Sequence, residues 1–513
     1  MKRILRLGLS AVLVAVLAAA VSCSKDDTEK PDPTPPPSSS DSDSDLNEWM
    51  FGYMKTHYLW NSAVKKVGPD YSLGYEEFLA KVLDDVAAQN DINHDDGHWE
   101  GGRRQYFYSN IQRYKTTASA ASKTRGTRET EEGTGIQYMN IFYIENGKEA
   151  CMFELLAVSP GSPADAKGLK RGTIITRING TVITDSNYAE LTKVLMPAES
   201  GKTVRLTTAS FNDEDKLVET PGEITVVSAS FDDNPVWMTK ILTAKNGTHK
   251  IGYLCYKSFN LYYDEQLMEA FAEFKSQSVK DLILDLRYNG GGHVVSSLLL
   301  GTMIAGPAKA GEVYSKETYN AERAAKGETD NFCKIGDKNV FGGIYSPIAD
   351  GIGDRYALGL GTVYVLCTNN TASASELIVN GLRGVDVEVR LIGQTTNGKN
   401  VGMEPVTKDK DGYTYEFSPI TFYSENAKGF KDYSEGFTPD VVIDEGEYYP
   451  REWGSEEDPL LAAALKWIDT GSKPSVKGLR TVRSAAAGQR EVLKAVRRSG
   501  GLEGMILLRG LDK

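Results

Sequence analysis

The chain has 513 residues, 40% of them hydrophobic, and a net charge of -12 from 58 basic and 70 acidic side chains. At roughly 100–200 residues per domain this length accommodates about three packed domains. The acidic balance argues against a nucleic-acid partner for the body of the protein. Five cysteines are too few for a disulfide scaffold, and no CxxC or His/Cys cluster points to a metal or calls for a cofactor.

Residues 1–22 read as a signal peptide: Lys2, Arg3 and Arg6 precede an apolar run from Leu7 to Val21. That run is short for a membrane span. "AVSC" resembles a lipoprotein cleavage box, with Ala20 where leucine is commoner, so Cys23 is the expected lipidation site and membrane tether. This places the protein in the cell envelope of a bacterium, anchored at the outer membrane on its periplasmic or surface face. Residues 23–45, rich in Pro, Ser and Asp, have little to bury and read as a disordered linker.

Residues 46–130 predict a small helical domain, with Trp49, Tyr53, Thr56 and Trp60 at helical spacing and "YEEFLAKVLDDVAA" as a second amphipathic helix. "HDDGH" at 94–98 is interrupted by Gly97 and reads as a loop. Residues 131–230 consist of short strands and turns around "SPGSPADAKGLKRG", a β-rich domain. Over 231–470 near-continuous apolar runs ("IGYLCYKSF", "DLILDLRYNGGG", "TVYVLCTNN") alternate with helical stretches, which predicts βα units and a buried mixed sheet. The polar stretch 310–336 is expected to be an inserted cap, bounded at 310–350. Residues 471–513 form a C-terminal extension after the helix "LLAAALKWI"; "EVLKAVRRS" reads as a further amphipathic helix. Its basic residues, with Lys473, Arg480 and Arg483, read as a solvated helix face or tail. The fold class is therefore multi-domain α/β.

Three stretches carry chemistry. "TASASELIVNGL" runs from a strand into a helix and offers Ser373 and Ser375 where helix N–H groups converge. "LRYNGGG" ends a buried strand in three glycines able to present amides closely. "QTTNGKNVG" places Lys399 in a Gly-flanked turn after a strand. With no histidine near the serines, a buried lysine whose pKa falls from about 10.4 toward ~7–8 can act as general base.

These three stretches, in this order, resemble the tail-specific, or carboxy-terminal processing, serine peptidases. "SPGSPADAKGLKRGTIITRINGTVI" resembles the PDZ module that those enzymes carry, and "GFTPDVVID" resembles their closing strand. The resemblance implies a ClpP/crotonase-like catalytic core, Ser373 as nucleophile, Lys399 as base, and oxyanion donors at the amides of Ala374 and Gly291. Ser375 and Glu376 then look structural. Where many members have a glutamine after the lysine, this chain has Met403; Glu404 is the candidate third catalytic residue. The family's Asp in the helix after the serine is not cleanly matched, Asp386 being shifted. The PDZ resemblance implies peptide capture at Gly135 and Ile136 in "EEGTGIQYMN", through the substrate's C-terminus. The expected activity is lipid-anchored endopeptidase action on protein or peptide substrates. The alternatives are a catalytically inactive peptide-binding lipoprotein and a hydrolase of other acyl bonds.

Overall fold

The structure, a computed structural model, describes residues 43–92, 107–115, 130–144, 151–212, 216–245, 247, 249–328, 331–337, 355–475, 490–497 and 504–506. The leader, Cys23, the linker to residue 42 and "HDDGH" lie outside the described residues.

The central sheet has six strands in the order Val236–Thr243, Lys250–Tyr256, Asp281–Asp285, Thr362–Cys367, Glu388–Gly393 and Val441–Val442. The first pair is antiparallel and the rest are parallel. The strands are apolar at successive positions because both faces are covered. Leu282, Leu284, Val363 and Val365 pack with the helices Asp264–Ser276, Val294–Ala305 and Ala374–Gly384. Ile283, Tyr364 and Leu366 face the helix Pro459–Thr470, the "LLAAALKWI" segment. Cys151, Cys255, Cys333 and Cys367 are all buried free thiols.

A second mixed sheet runs beside the first. Its order is Gly291–His293 (the glycine strand), Gly504–Ile506, Val401–Met403 (the base strand), Ile420–Glu425, Val313–Tyr319 and Asn331–Lys334. The β-rich domain is a sheet of Arg490–Arg497, Ile136–Ile144, Met152–Val158, Ile174–Ile178, Thr203–Phe211 and Leu217–Glu219, with its own core of Ile141, Phe153, Leu155, Ile175 and Leu206. The N-terminal helices Ser44–His57 and Tyr75–Val86 pack Met50, Met54, Phe78 and Val82 against Val401, Phe417 and Ile420 of the catalytic domain.

Two expectations are overturned here. Over its described residues, the stretch 310–337 is a sheet component rather than an irregular cap. Tyr314 and the alternate positions Ser315, Glu317 and Tyr319 are buried, and Tyr314 enters a notch where the helices carry Gly301 and Gly381. Residues 338–350 lie outside the described residues. "EVLKAVRRS" is not a helix: Arg490–Arg497 is a strand, because pairing to an otherwise open sheet edge outweighs the local helical pattern.

A buried charge cluster joins the β-rich domain to the catalytic domain. Arg287 donates to Asp285 at 2.7 and 3.0 Å and to Asp458 at 2.9 Å, while Asp458 caps the helix Pro459–Thr470. Glu445 takes Arg171 of the β-rich domain and the Tyr288 hydroxyl, the latter at 2.6 Å. Tyr138 in turn donates its hydroxyl to the Tyr288 carbonyl at 3.2 Å.

Candidate active site

Ser373 lies where the chain leaving the strand Thr362–Cys367 enters the helix Ala374–Gly384. Its φ of 60° and ψ of -110° lie in a region that side-chain-bearing residues avoid. Such a conformation costs about 1–3 kcal/mol and persists only when neighbours over-determine it. They do so here. The Asn289 carbonyl accepts from the Ala372 amide at 3.0 Å and the Ser375 hydroxyl at 2.9 Å, and Thr371 donates to the Leu286 carbonyl at 2.9 Å. Ser375 is therefore a stitch between the serine turn and the glycine turn, as expected. The Ser373 hydroxyl is fully buried, and among the described residues its Oγ meets no partner beyond the capping-box approach of the Glu376 amide. Ala374 heads the helix, so its amide has no intrahelical acceptor.

Glu376, one turn on, ties the serine to the lysine turn. Its Oε2 accepts the Ser373 amide at 2.9 Å and the Lys399 amide at 2.8 Å; its Oε1 accepts the Gly398 amide at 2.7 Å and the Thr396 hydroxyl at 2.6 Å. Burial pushes this carboxyl up to about 7, against the four donors, which pull it down. Gly398, at φ +97°, brings the lysine turn close: a Cβ there would lie 2.0 Å from the Ser434 carbonyl oxygen. Gly398→Ala is expected to cost about 2–3 kcal/mol, through strain and forced backbone movement. Its thermal midpoint should fall accordingly in a calorimetric scan.

Lys399 is buried, with Nζ 4.5 Å from the centroid of the Tyr108 ring. The Tyr108 hydroxyl donates to Asn397 at 2.6 Å. Close by is Asp91, fully buried, which accepts from the Tyr58 hydroxyl at 2.6 Å and from the Ser109 amide and hydroxyl at 2.8 and 2.7 Å. Burial raises Asp91 to about 6, with the nearby Lys399 charge among the influences that pull it down. Because the folded protein holds this proton more tightly than the unfolded chain, Asp91's contribution is full below its ordinary 3.8 and is lost as pH rises through about 6. The loss amounts to roughly 2–3 kcal/mol. Denaturant titrations from pH 4 to 7 should show this slope, and Asp91→Asn should flatten it.

Four expected residues stand differently from the family pattern. Glu404 directs its carboxylate to Arg323, at 2.6 and 3.3 Å, so the structure gives it a different partner from the lysine it was expected to orient. The Gly291 amide donates to Asn289 Oδ1 at 3.0 Å. Gly135 and Ile136 close onto their own domain: the Gly135 carbonyl accepts the Ser159 amide at 2.8 Å, and Ile136 is a core residue paired with Val158. Asp91 and Tyr108 went unnoticed in the sequence, where no motif marks them.

A strained serine at a helix start, stitched to a glycine turn on one side and through Glu376 to the turn of a buried lysine on the other, defines a serine-hydrolase type of site on an α/β core. Residues 250–443 match the profile of peptidase family S41, residues 154–209 that of a PDZ domain, and residues 45–99 that of the S41 N-terminal domain. It is 24% identical to a chloroplastic C-terminal processing peptidase of Tetradesmus obliquus over 65% of the chain, and 25% identical to a carboxyl-terminal-processing protease of Picosynechococcus over a similar share. The alignments span 64% and 69% of those relatives and 51% of a staphylococcal one. A solved structure from Bacteroides fragilis NCTC 9343, assigned to the S41 proteases, superposes with a TM-score of 0.64 at 27% identity, covering 83% of this chain and 97% of that one.

Proposed function

We propose that the protein is a lipid-anchored, extracytoplasmic serine endopeptidase that hydrolyses peptide bonds of protein or peptide substrates with a Ser373–Lys399 dyad. The observation that carries this reading is the Glu376 carboxylate, which holds the Ser373 and Lys399 amides on one oxygen. Nucleophile and base are thereby kept in one rigid unit. Neutral Lys399 takes the Ser373 proton as Oγ attacks the substrate carbonyl carbon. The oxyanion is held by the Ala374 amide and by the Gly291 amide once Asn289 releases it. Collapse expels the amine, which takes the proton from Lys399, and water then releases the acyl group by the same route in reverse. Cys23 bears the lipid, and the linker to residue 45 spaces the body from the bacterial outer membrane. PDZ engagement assists substrate selection.

A second reading, a peptide-binding lipoprotein without activity, draws on the full burial of the Ser373 hydroxyl and on Glu404 being held by Arg323. Turnover of an unfolded protein by the leader-free chain, with labelling by a fluorophosphonate, separates the two. Cleavage and labelling, both lost in Ser373→Ala, are expected. Absence of both from the parent chain, across substrates with different C-termini, would establish the binding reading instead.

A further inference from the structure

A lysine carries its amine on a long flexible stem, and a reacting group misplaced by about 1 Å can lose roughly 100-fold in rate. Glu376 fixes only the backbone end of Lys399, whose amide it accepts at 2.8 Å. Glu404, the expected orienting group, has its carboxylate on Arg323 at 2.6 Å. Asp91 is near, but its carboxyl takes the Tyr58 hydroxyl and the Ser109 amide and hydroxyl. The ring of Tyr108 lies against the amino end, its centroid 4.5 Å from Nζ, inside the roughly 6 Å at which a ring face attracts a cation. Both residues are buried.

Tyr108 is itself held at both ends. Its amide donates to the Asp91 carbonyl at 2.7 Å, and its hydroxyl donates to Asn397 Oδ1 at 2.6 Å. The Asn397 amide in turn donates to the carbonyl of Thr371, just before the serine turn, at 3.0 Å. Beside Tyr108, the Ser109 hydroxyl accepts the Ile420 amide at 2.9 Å. Asn90 donates to the side chain of Asn400, the residue after the base, at 3.4 Å. The N-terminal segment therefore reaches the base turn at Asn397, Lys399 and Asn400.

We propose that Tyr108 is the positioning residue for Lys399: its ring face steadies the amino group for proton transfer, and the N-terminal segment thereby completes the active site. The proposal rests on the peptidase reading above and adds the group that orients its base. The face of an aromatic ring is the negative side of its quadrupole. It can receive an amine N–H and leave the nitrogen lone pair for the serine proton. Once Lys399 has taken that proton, the ring attracts the ammonium that forms. Being uncharged, the ring does not hold the proton back from the leaving amine as a carboxylate in the same place would.

The test replaces Tyr108 in the full chain. Tyr108→Leu is expected to lower kcat on an unfolded protein by about tenfold or more while KM moves by less than about twofold, the mark of an interaction made in the transition state. Tyr108→Phe keeps the ring and loses only the Asn397 bond, so it should recover most of that loss. Increasingly fluorinated phenylalanines at 108 keep the shape of the ring while draining negative potential from its face. Across them kcat should fall stepwise at a constant melting temperature, and they replace Tyr108→Leu if that variant fails to fold. A level kcat across the fluorinated series, or a folded Tyr108→Leu that turns over within about twofold of the parent, would overturn the proposal. If the parent neither cleaves protein nor reacts with a fluorophosphonate, the peptidase reading fails, and the Lys399 resonance decides the placement. With lysine Cε isotopically labelled and the signal assigned through Lys399→Arg, the ring should shift the attached protons upfield in the parent and in Tyr108→Phe. Return of that signal to the ordinary lysine position in Tyr108→Leu upholds the placement, and an unmoved signal overturns it.

Discussion

Lys399→Ala is expected to lower the turnover of an unfolded polypeptide by roughly 10²–10⁴-fold while leaving the melting temperature within a few degrees, the usual range for losing a general base. Five histidines are present in the chain, and among the described residues His293 is the one beside the glycine turn. Its ring lies 3.1 Å from the Phe259 carbonyl, and burial pushes it down to about 4. It has no claim on the Ser373 proton, so His293→Gln should spare the chemistry that Lys399→Ala removes. Lys399→Arg is the sharper control, because a guanidinium keeps the positive charge and cannot deprotonate at neutral pH. If arginine restored turnover, the lysine would be an electrostatic group and the base would have to be sought elsewhere. Fluorophosphonate labelling rates on the three variants read the same difference without a substrate. Ser373→Ala combined with Lys399→Ala should be no worse than either alone, since the two act as one unit.

Glu376→Gln is expected to cost about 3–5 kcal/mol of stability and to reduce turnover by at least about 100-fold, although it changes one atom and hardly any volume. All four bonds to this carboxylate are accepted by its oxygens, two on each. An amide can offer one oxygen; its NH2 would face two donors and leave them buried and unpaired. If the NH2 faces Ser373 and Lys399, the strained turn and the base turn lose their common tether. The same logic applies to acid. Burial raises this carboxyl to about 7, and a proton placed on it finds donors rather than acceptors around it. By linkage the raised value means that Glu376's contribution to global stability is full below its ordinary 4.5 and is lost as pH rises through about 7, while the proton takes one acceptor position from the four donors, so Glu376 adds to the acid limb of the pH–rate profile. Thermal melts and kcat/KM measured together on the variant test both halves: normal melting with normal turnover would show that the tether is dispensable.

Local pattern revealed the parts of this protein whose chemistry is local. The apolar runs at 281–285 and 362–367 show strands covered on both faces, because side chains alternate between faces and both faces are lined with helices. The serine turn was recognisable because a strand, a small residue and a helix start follow one another directly. The closing helix Pro459–Thr470 carries its own start signal, Asp458 before proline. What escaped was assembled across distance. Glu376 was legible as a helix-start residue, but nothing nearby says that its other donors come from 396–399. Asp91 lies in a short turn after the N-terminal helices and acquires its interest only from the nearby Lys399 charge. The tail read as a helix because its spacing admits one; the vacant edge 350 residues upstream decided otherwise. The polar stretch after Ala310 looked irregular because its buried side chains are tyrosine, serine and glutamate rather than aliphatic.

The placing of Tyr108 against Lys399 has a consequence for the order in which the protein can be made. The Tyr108 hydroxyl meets a residue 289 positions further on, and Asp45 meets Lys410 across 365. Contacts this distant in sequence form late, after long loops have been closed. During synthesis Ser373 emerges before Lys399 exists, and the surroundings of that lysine need the first folded segment to wait for nearly the last. Ser373 and Lys399 therefore come together in their described surroundings only in a nearly finished chain.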